Sequence, residues 1–204
     1  MNNLDKFSRI VKKYKPDLKY RDYYYYGIGF KDFYKEVMSE LEENEQLMYE
    51  LRHYDIRDRI FNKWRGFNME ELIKEELSYY YNVESSKRLD DIGVDILIEE
   101  DEVNICIQVK SSSFLKFDLE EQRKYIIDIV LNIVDRFGKK TNSNKRNEFI
   151  LILYDNENLY YSTVKDVINY DTKTKSIKTH EIVEIDNIYL GDYLRDIIED
   201  IKEP

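Results

Sequence analysis

DIGVDILIEEDEVNICIQVK, residues 91–110, is the stretch whose reading decides the fold. Val94, Ile96 and Ile98 alternate with Asp95, Leu97 and Glu99; Val103, Ile105, Ile107 and Val109 alternate with Asn104, Cys106, Gln108 and Lys110. A period of two predicts strands, because successive side chains of an extended chain point to opposite faces. Glu100, Asp101 and Glu102 are poor strand formers, so a tight hairpin is the natural join, and its loop length sets the register. A two-residue loop at Asp101 and Glu102 places Asp95 opposite Gln108 with Lys110 diagonal to it, all on one side, while Val and Ile cover the other. A carboxylate, an amide carbonyl and an ammonium on one sheet face suit phosphodiester hydrolysis. The two oxygens are hard ligands for Mg2+, with Mn2+ as the alternative, and the lysine can orient a water and offset charge developing on the phosphorane. The same spacing also fits an ordinary half-exposed hairpin whose polar residues face solvent.

Composition bounds what surrounds the hairpin. At 204 residues the chain can hold one sizeable core with an N-terminal extension. No apolar run approaches the ~20 residues that span a bilayer, and the polar start Met1-Asn2-Asn3-Leu4-Asp5-Lys6 carries no signal core. Cys106 is the only cysteine, which excludes an intrachain disulfide and fits a reducing cytosol, so a cytoplasmic location away from membranes is expected. Covalent catalysis through that thiol needs a positioned histidine, and an alternating strand position reads instead as packing. The net charge of -10 counts against a generic nucleic-acid binder, but residues 6–21 carry Lys6, Arg9, Lys12, Lys13, Lys15, Lys19 and Arg21 against Asp17 alone.

Leu4, Phe7, Ile10, Val11 and Tyr14 recur at helical spacing, and Pro16 ends that helix. The tyrosine run 23–26 reads as packing before it reads as a base-stacking surface. A helix is expected over residues 30–51 and another around Ile56, Ile60, Phe61 and Trp64. A separate one follows over residues 66–80, capped by Asn68 and carrying Met69, Leu72, Ile73 and Leu77 inward. A short strand near residues 82–85 precedes the hairpin. A long helix over residues 118–137 and the apolar strand 149–153 follow it. Beyond them come a strand over 159–163, a helix over 164–170, an edge strand over 182–185 and a closing helix over 189–201. His53 and His180 lie far apart and form no zinc set; His180 reads as a surface residue.

Asp95 with Gln108-Val109-Lys110 resembles the split motif of the PD-(D/E)xK nucleases, in the variant with glutamine where most members have an acid, and DIGVD with QVK is most similar to the Mrr-type, restriction-endonuclease-like members. The order helix, three strands, helix, strand over residues 66–155 matches the αβββαβ core of that superfamily. The resemblance implies an α/β protein of α+β type with a mixed sheet: residues 1–65 as a helical extension, 66–155 as the nuclease core and 156–204 completing the same domain. It also singles out Glu70, in Met69-Glu70-Glu71-Leu72-Ile73, as a further metal ligand or water-orienting residue, with Glu71 as the close alternative. Both are equally first-turn glutamates favoured by the helix dipole. The expected activity is a Mg2+-dependent endonuclease acting on double-stranded DNA, of restriction type and acting as a homodimer, with Asp95, Gln108, Lys110 and Glu70 at its site. Lys12, Lys13, Arg21, Lys139, Lys140, Lys145 and Arg146 are the candidate backbone contacts. A structure-selective junction or repair nuclease, and a non-catalytic DNA- or protein-binding module on the same fold, are the competing expectations.

Overall fold

The computed structural model describes residues 3–15, 29–111, 124, 145–155, 157–163, 166, 180–185 and 187–203. These divide into two compact units, Met1–Leu72 and Ile73–Pro204. The expected helix over 118–137 apart from Lys124, the helix over 164–170 apart from Asp166, the tyrosine run, Arg21, Lys139 and Lys140 lie outside the described residues.

The described residues of the first unit are helical apart from the turns that join their helices. Helix α1 (Asn3–Lys13) buries Phe7 and Val11, as its spacing requires. The apolar run from residue 30 forms two helices rather than one, α2 (Phe30–Glu42) and α3 (Glu45–Leu51). The break falls at Asn44, whose side-chain amide donates to Glu40 O at 2.7 Å. Asparagine offers the backbone such local alternatives to the helical ladder. Phe33, Val37, Leu41, Leu47, Leu51, Ile60 and Trp64 join Phe7 and Val11 in one core. Each large side chain so buried stabilises by about 1.5–3 kcal/mol.

Helix α4 (Ile56–Ser78) corrects the expectation of two helices: it runs unbroken through Gly66 and Asn68. Asn68 is therefore no cap. It sits 3% exposed inside the helix, and among the described residues neither atom of its amide has a hydrogen-bond partner. A glycine inside a helix costs about 1 kcal/mol, and the buried stripe Ile60, Trp64, Ile73 and Leu77 on the same helix outweighs it. The division between the units falls within α4.

In the second unit, six strands form one mixed sheet in sequence order: β1 (Val83–Glu84), β2 (Ile96–Glu99), β3 (Val103–Ser111), β4 (Arg146–Tyr154), β5 (Asn158–Thr163) and β6 (His180–Glu184). All neighbours are antiparallel except β3 and β4, which run parallel over nine residue pairs. A one-turn helix α5 (Lys87–Asp90), absent from the expected elements, stands between β1 and β2, and helix α6 (Leu190–Lys202) closes the chain. Val103 to Val109 of β3 are all buried, so both faces of that strand are covered. This removes the half-exposed hairpin as a description of residues 103–109.

Helix α6 buries Leu190, Leu194 and Ile198. Its first turn lies so close to the end of α4 that a Cβ on Gly191 would meet Glu76 Oε2 at 2.8 Å and the Tyr80 ring at 3.2 Å. At its other end Arg146 donates to the carbonyls of Ile201 (3.1 Å) and Lys202 (2.9 Å), a cation on the negative end of the helix. No helix of the described residues is long and apolar enough to cross a membrane.

Candidate active site

Residues 86–95 build the entrance to the hairpin. Ser86 caps α5 through its hydroxyl, which accepts from Leu89 N–H at 3.4 Å. One turn later the helix stops. Gly93 takes φ 86°, its N–H donates to Asp90 O at 3.0 Å, and Val94 N–H donates to Leu89 O at 3.0 Å. That pair of bonds is a Schellman stop, with buried Leu89 and Val94 as the apolar residues that accompany it. DIGVD is thus a helix terminator that launches β2, and the left-handed backbone is why it contains a glycine.

The hairpin register is the one the two-residue loop predicts: Glu100 N–H donates to Val103 O at 3.0 Å, and Glu99 pairs with Asn104, Leu97 with Cys106 and Ile96 with Ile107. The ladder then departs from expectation. Asp95 is not set squarely opposite Gln108. Its N–H donates at 2.9 Å to Ile107 O, on the residue that Ile96 already pairs with. Two residues sharing one partner form a bulge, which bends the strand and re-aims a side chain. A regular ladder would bring Val94 O to the Val109 N–H. Here Asp95 Oδ2 takes that N–H, at 2.7 Å.

Gln108 is 3% exposed, so its amide must find partners. With its nitrogen donating to Gly93 O at 2.7 Å, its oxygen accepts from Lys110 Nζ at 3.1 Å. The reverse orientation would set oxygen against carbonyl oxygen and nitrogen against ammonium, so the bonding orientation is the physical one. The amide atom 3.5 Å from Asp95 Oδ2 is then the oxygen. Asp95, Gln108 and Lys110 therefore do converge, by way of a bulge. Both are hard oxygen donors of the kind Mg2+ takes, and that ion keeps several waters and needs few protein ligands; neighbouring ligands of its octahedron lie about 3 Å apart, so the two oxygens would have to close by about half an ångström to share it. Among the described residues no group of three or more His, Cys, Asp or Glu assembles, so an ion here would draw on one carboxylate and one amide.

Glu70 and Glu71 belong to the first unit. There Lys15 reaches both, at 3.1 and 3.3 Å, and lies over the Phe67 ring. Burial lowers the Lys15 ammonium, but the two glutamates outweigh it and hold it above its ordinary range. Of the candidate DNA contacts, Lys13 pairs with Glu40, and Arg146 is engaged with the end of α6 and with Glu148 at 3.1 Å. Lys12 is exposed and Lys145 half-buried.

Two other groups sharpen the picture. Burial pushes the Cys106 thiol up to about 12, which fits the packing role expected of it. His180 is less of a surface residue than expected: its Nε2 lies 3.1 Å from Asp166 Oδ1 and its ring stacks on Tyr161 at 4.9 Å. Burial raises the Asp166 carboxyl, but the Thr163 N–H and hydroxyl, together with His180, outweigh it and hold it below its ordinary range. Nothing in the spacing of His180 and Asp166 announces this pair, because 14 residues separate them. No protein-family model matches the chain, and no curated protein matches it in sequence.

Proposed function

We propose that the chain is a Mg2+-dependent endonuclease of the PD-(D/E)xK type, hydrolysing phosphodiester bonds in double-stranded DNA in the manner of a restriction enzyme. One observation carries the reading: Asp95 Oδ2 and the Gln108 amide oxygen stand 3.5 Å apart, with Lys110 Nζ 3.1 Å from the amide, at the bulged end of β2 and β3. The strand order, with three antiparallel strands followed by a parallel fourth, supports it.

Asp95 and Gln108 would hold the ion, which supplies Lewis-acid chemistry toward the phosphate when bound. The chain's own contributions follow from their contacts. Val109 N–H fixes the Asp95 carboxylate, and Gly93 O with Lys110 fixes the Gln108 amide. Lys110 orients the attacking water and offsets charge developing on the phosphorane. The neutral Gln108 leaves Asp95 as the one anion of these three residues. The role that the resemblance implies for Glu70 competes with its bond to Lys15, and Glu70→Gln beside Glu71→Gln tells which, if either, the reaction uses. The cytoplasmic location and the homodimer belong to the same proposal.

A second reading has its own observation. Asp95 closes a ladder position and Gln108 satisfies a carbonyl, contacts a non-catalytic module on this fold would also need. Supercoiled and linear DNA incubated with Mg2+ or Mn2+ separates the readings. Cleavage by the wild type and its loss in Asp95→Asn and Lys110→Ala supports the nuclease; equal products from all three sink the site. Discrete fragments identify a restriction activity, and cutting confined to branched DNA a junction nuclease.

A further inference from the structure

In the Met1–Leu72 unit, the turn joining α3 to α4 gathers rings and arginines at the surface. Tyr49 is 61% exposed and Tyr54 43%, in a unit whose other described rings lie in or against its core. Each carries a guanidinium: Arg52 Cζ lies 3.9 Å from the Tyr49 ring centroid and Arg59 Cζ 4.4 Å from that of Tyr54. Arg52 is held further by donating to Tyr49 Oη at 3.1 Å. The inward side of α4 is occupied by Ile60 and Trp64, which leaves Arg57 and Arg59 on the exposed side.

The local charge opposes that of the chain. Residues 49–65 hold Arg52, Arg57, Arg59, Lys63 and Arg65 against Glu50, Asp55 and Asp58, in a protein of net charge -10. One of those carboxylates is committed to the backbone, since Asp55 Oδ1 accepts from Asp58 N–H at 3.1 Å at the start of α4. Rings backed by arginines, in a positive patch of an otherwise acidic chain, match a ligand that offers flat aromatic faces strung on a polyanion.

We propose that this corner is a contact surface for single-stranded DNA, with Tyr49 and Tyr54 stacking on unpaired bases and Arg52, Arg57 and Arg59 meeting the phosphates. Duplex DNA stacks its base faces on one another and hides them from such rings, so the occupant is a strand with unpaired nucleotides. The inference rests on the nuclease reading for its partner class, yet it concerns residues of the other unit and can fail separately.

Fluorescence anisotropy of a short labelled oligothymidylate with the full chain, in buffer containing EDTA, tests it against a blunt-ended duplex of the same length. The wild type binds the single strand at least tenfold more tightly than the duplex. Tyr49→Ala with Tyr54→Ala weakens that binding by about tenfold or more, whereas the pair Tyr49→Phe and Tyr54→Phe keeps it, because the ring faces remain. Arg52→Gln with Arg59→Gln lowers the slope of log affinity against log salt by about 0.7 for each phosphate no longer neutralised, and this pair carries the test if the alanine variant melts early. Absence of salt-dependent binding to the oligothymidylate overturns the proposal, as does equal affinity in a folded double-alanine variant. Metal-dependent cleavage without single-strand binding refutes the surface and leaves the hydrolytic site standing; binding without cleavage does the reverse.

Discussion

The hairpin of β2 and β3 brings an amide near a carboxylate at each of its ends, and the two sets have opposite fates. Near the turn, Glu99 pairs with Asn104 in a regular ladder; Glu99 is exposed, and the Asn104 amide turns away to donate to Asn147 Oδ1 at 2.9 Å on β4. At the other end, Asp95 and Gln108 stand where the ladder has broken, and carboxylate, amide oxygen and ammonium are drawn together. Residue types are nearly the same at both ends. What differs is the backbone: a regular ladder satisfies its own polar groups and makes no demand on side chains, so Glu99 goes to solvent and the buried Asn104 amide turns to β4, whereas a bulge exposes an N–H and a carbonyl that recruit side chains to themselves.

The contrast between the two ends breaks first on activity. Asp95→Asn keeps an oxygen for the Val109 N–H but removes the charge, so nicking of supercoiled DNA with Mg2+ should fall by about 10²–10³-fold, while Glu99→Gln should cut at the wild-type rate. Equal losses would make the bulge irrelevant. The next effect is on stability. Asp95→Ala leaves the Val109 N–H without its acceptor, at a cost of about 1–3 kcal/mol, and the melting temperature should drop well below that of Asp95→Asn. Gly93→Ala forces a left-handed backbone, φ 86°, on a residue with a Cβ and should cost about 1–2 kcal/mol. Thermal melting of that variant, read beside its cleavage rate, reports how far the helix stop positions Asp95. Asn104→Leu should cost about 1 kcal/mol: it removes an amide oxygen that has no partner among the described residues, but it also takes the donor from Asn147 Oδ1, on a half-buried side chain that water can reach. A larger loss would show the regular end to be as demanding as the bulged one.

Between the two amides on the same strand sits Cys106, and its effect is the smallest. Burial pushes the thiol up to about 12, so the folded chain keeps a proton that the unfolded chain begins to lose near 9.0. The unfolded state then binds fewer protons, and stability falls as pH rises from about 9 toward 12. Cys106→Val should remove about half a kcal/mol of that loss at pH 9, measured as the difference between denaturation midpoints at pH 7 and pH 9. Unchanged pH dependence in the variant would mean that the strand opens enough to solvate the thiol.

Much of the hairpin was legible from the alternation of residues 94–110, because a two-residue loop admits one register and the register brings Asp95, Gln108 and Lys110 to one end. The bulge was not. It depends on Gly93 ending a one-turn helix, and four residues are too few to show a helical period. The break at Asn44 and the continuity through Asn68 were hidden for related reasons, since asparagine caps, breaks or interrupts helices according to packing its neighbours in sequence do not reveal. The bonds of Glu70 with Lys15 and of Arg146 with Ile201 were equally out of reach, because each spans 55 residues of chain.

The parallel pairing of β3 with β4 has a consequence for how the protein comes to be active. Its paired residues lie 43 positions apart, as Asn104 and Asn147 do, whereas the hairpin of β2 and β3 closes over two residues. Short closures form on microsecond timescales and distant ones later, after more chain entropy has been surrendered. The hairpin that gathers Asp95, Gln108 and Lys110 should therefore close early in folding, and β4 should dock late. On that order the polar cluster would be drafted before the sheet that buries it, and substitutions in β4 should speed unfolding more than they slow folding.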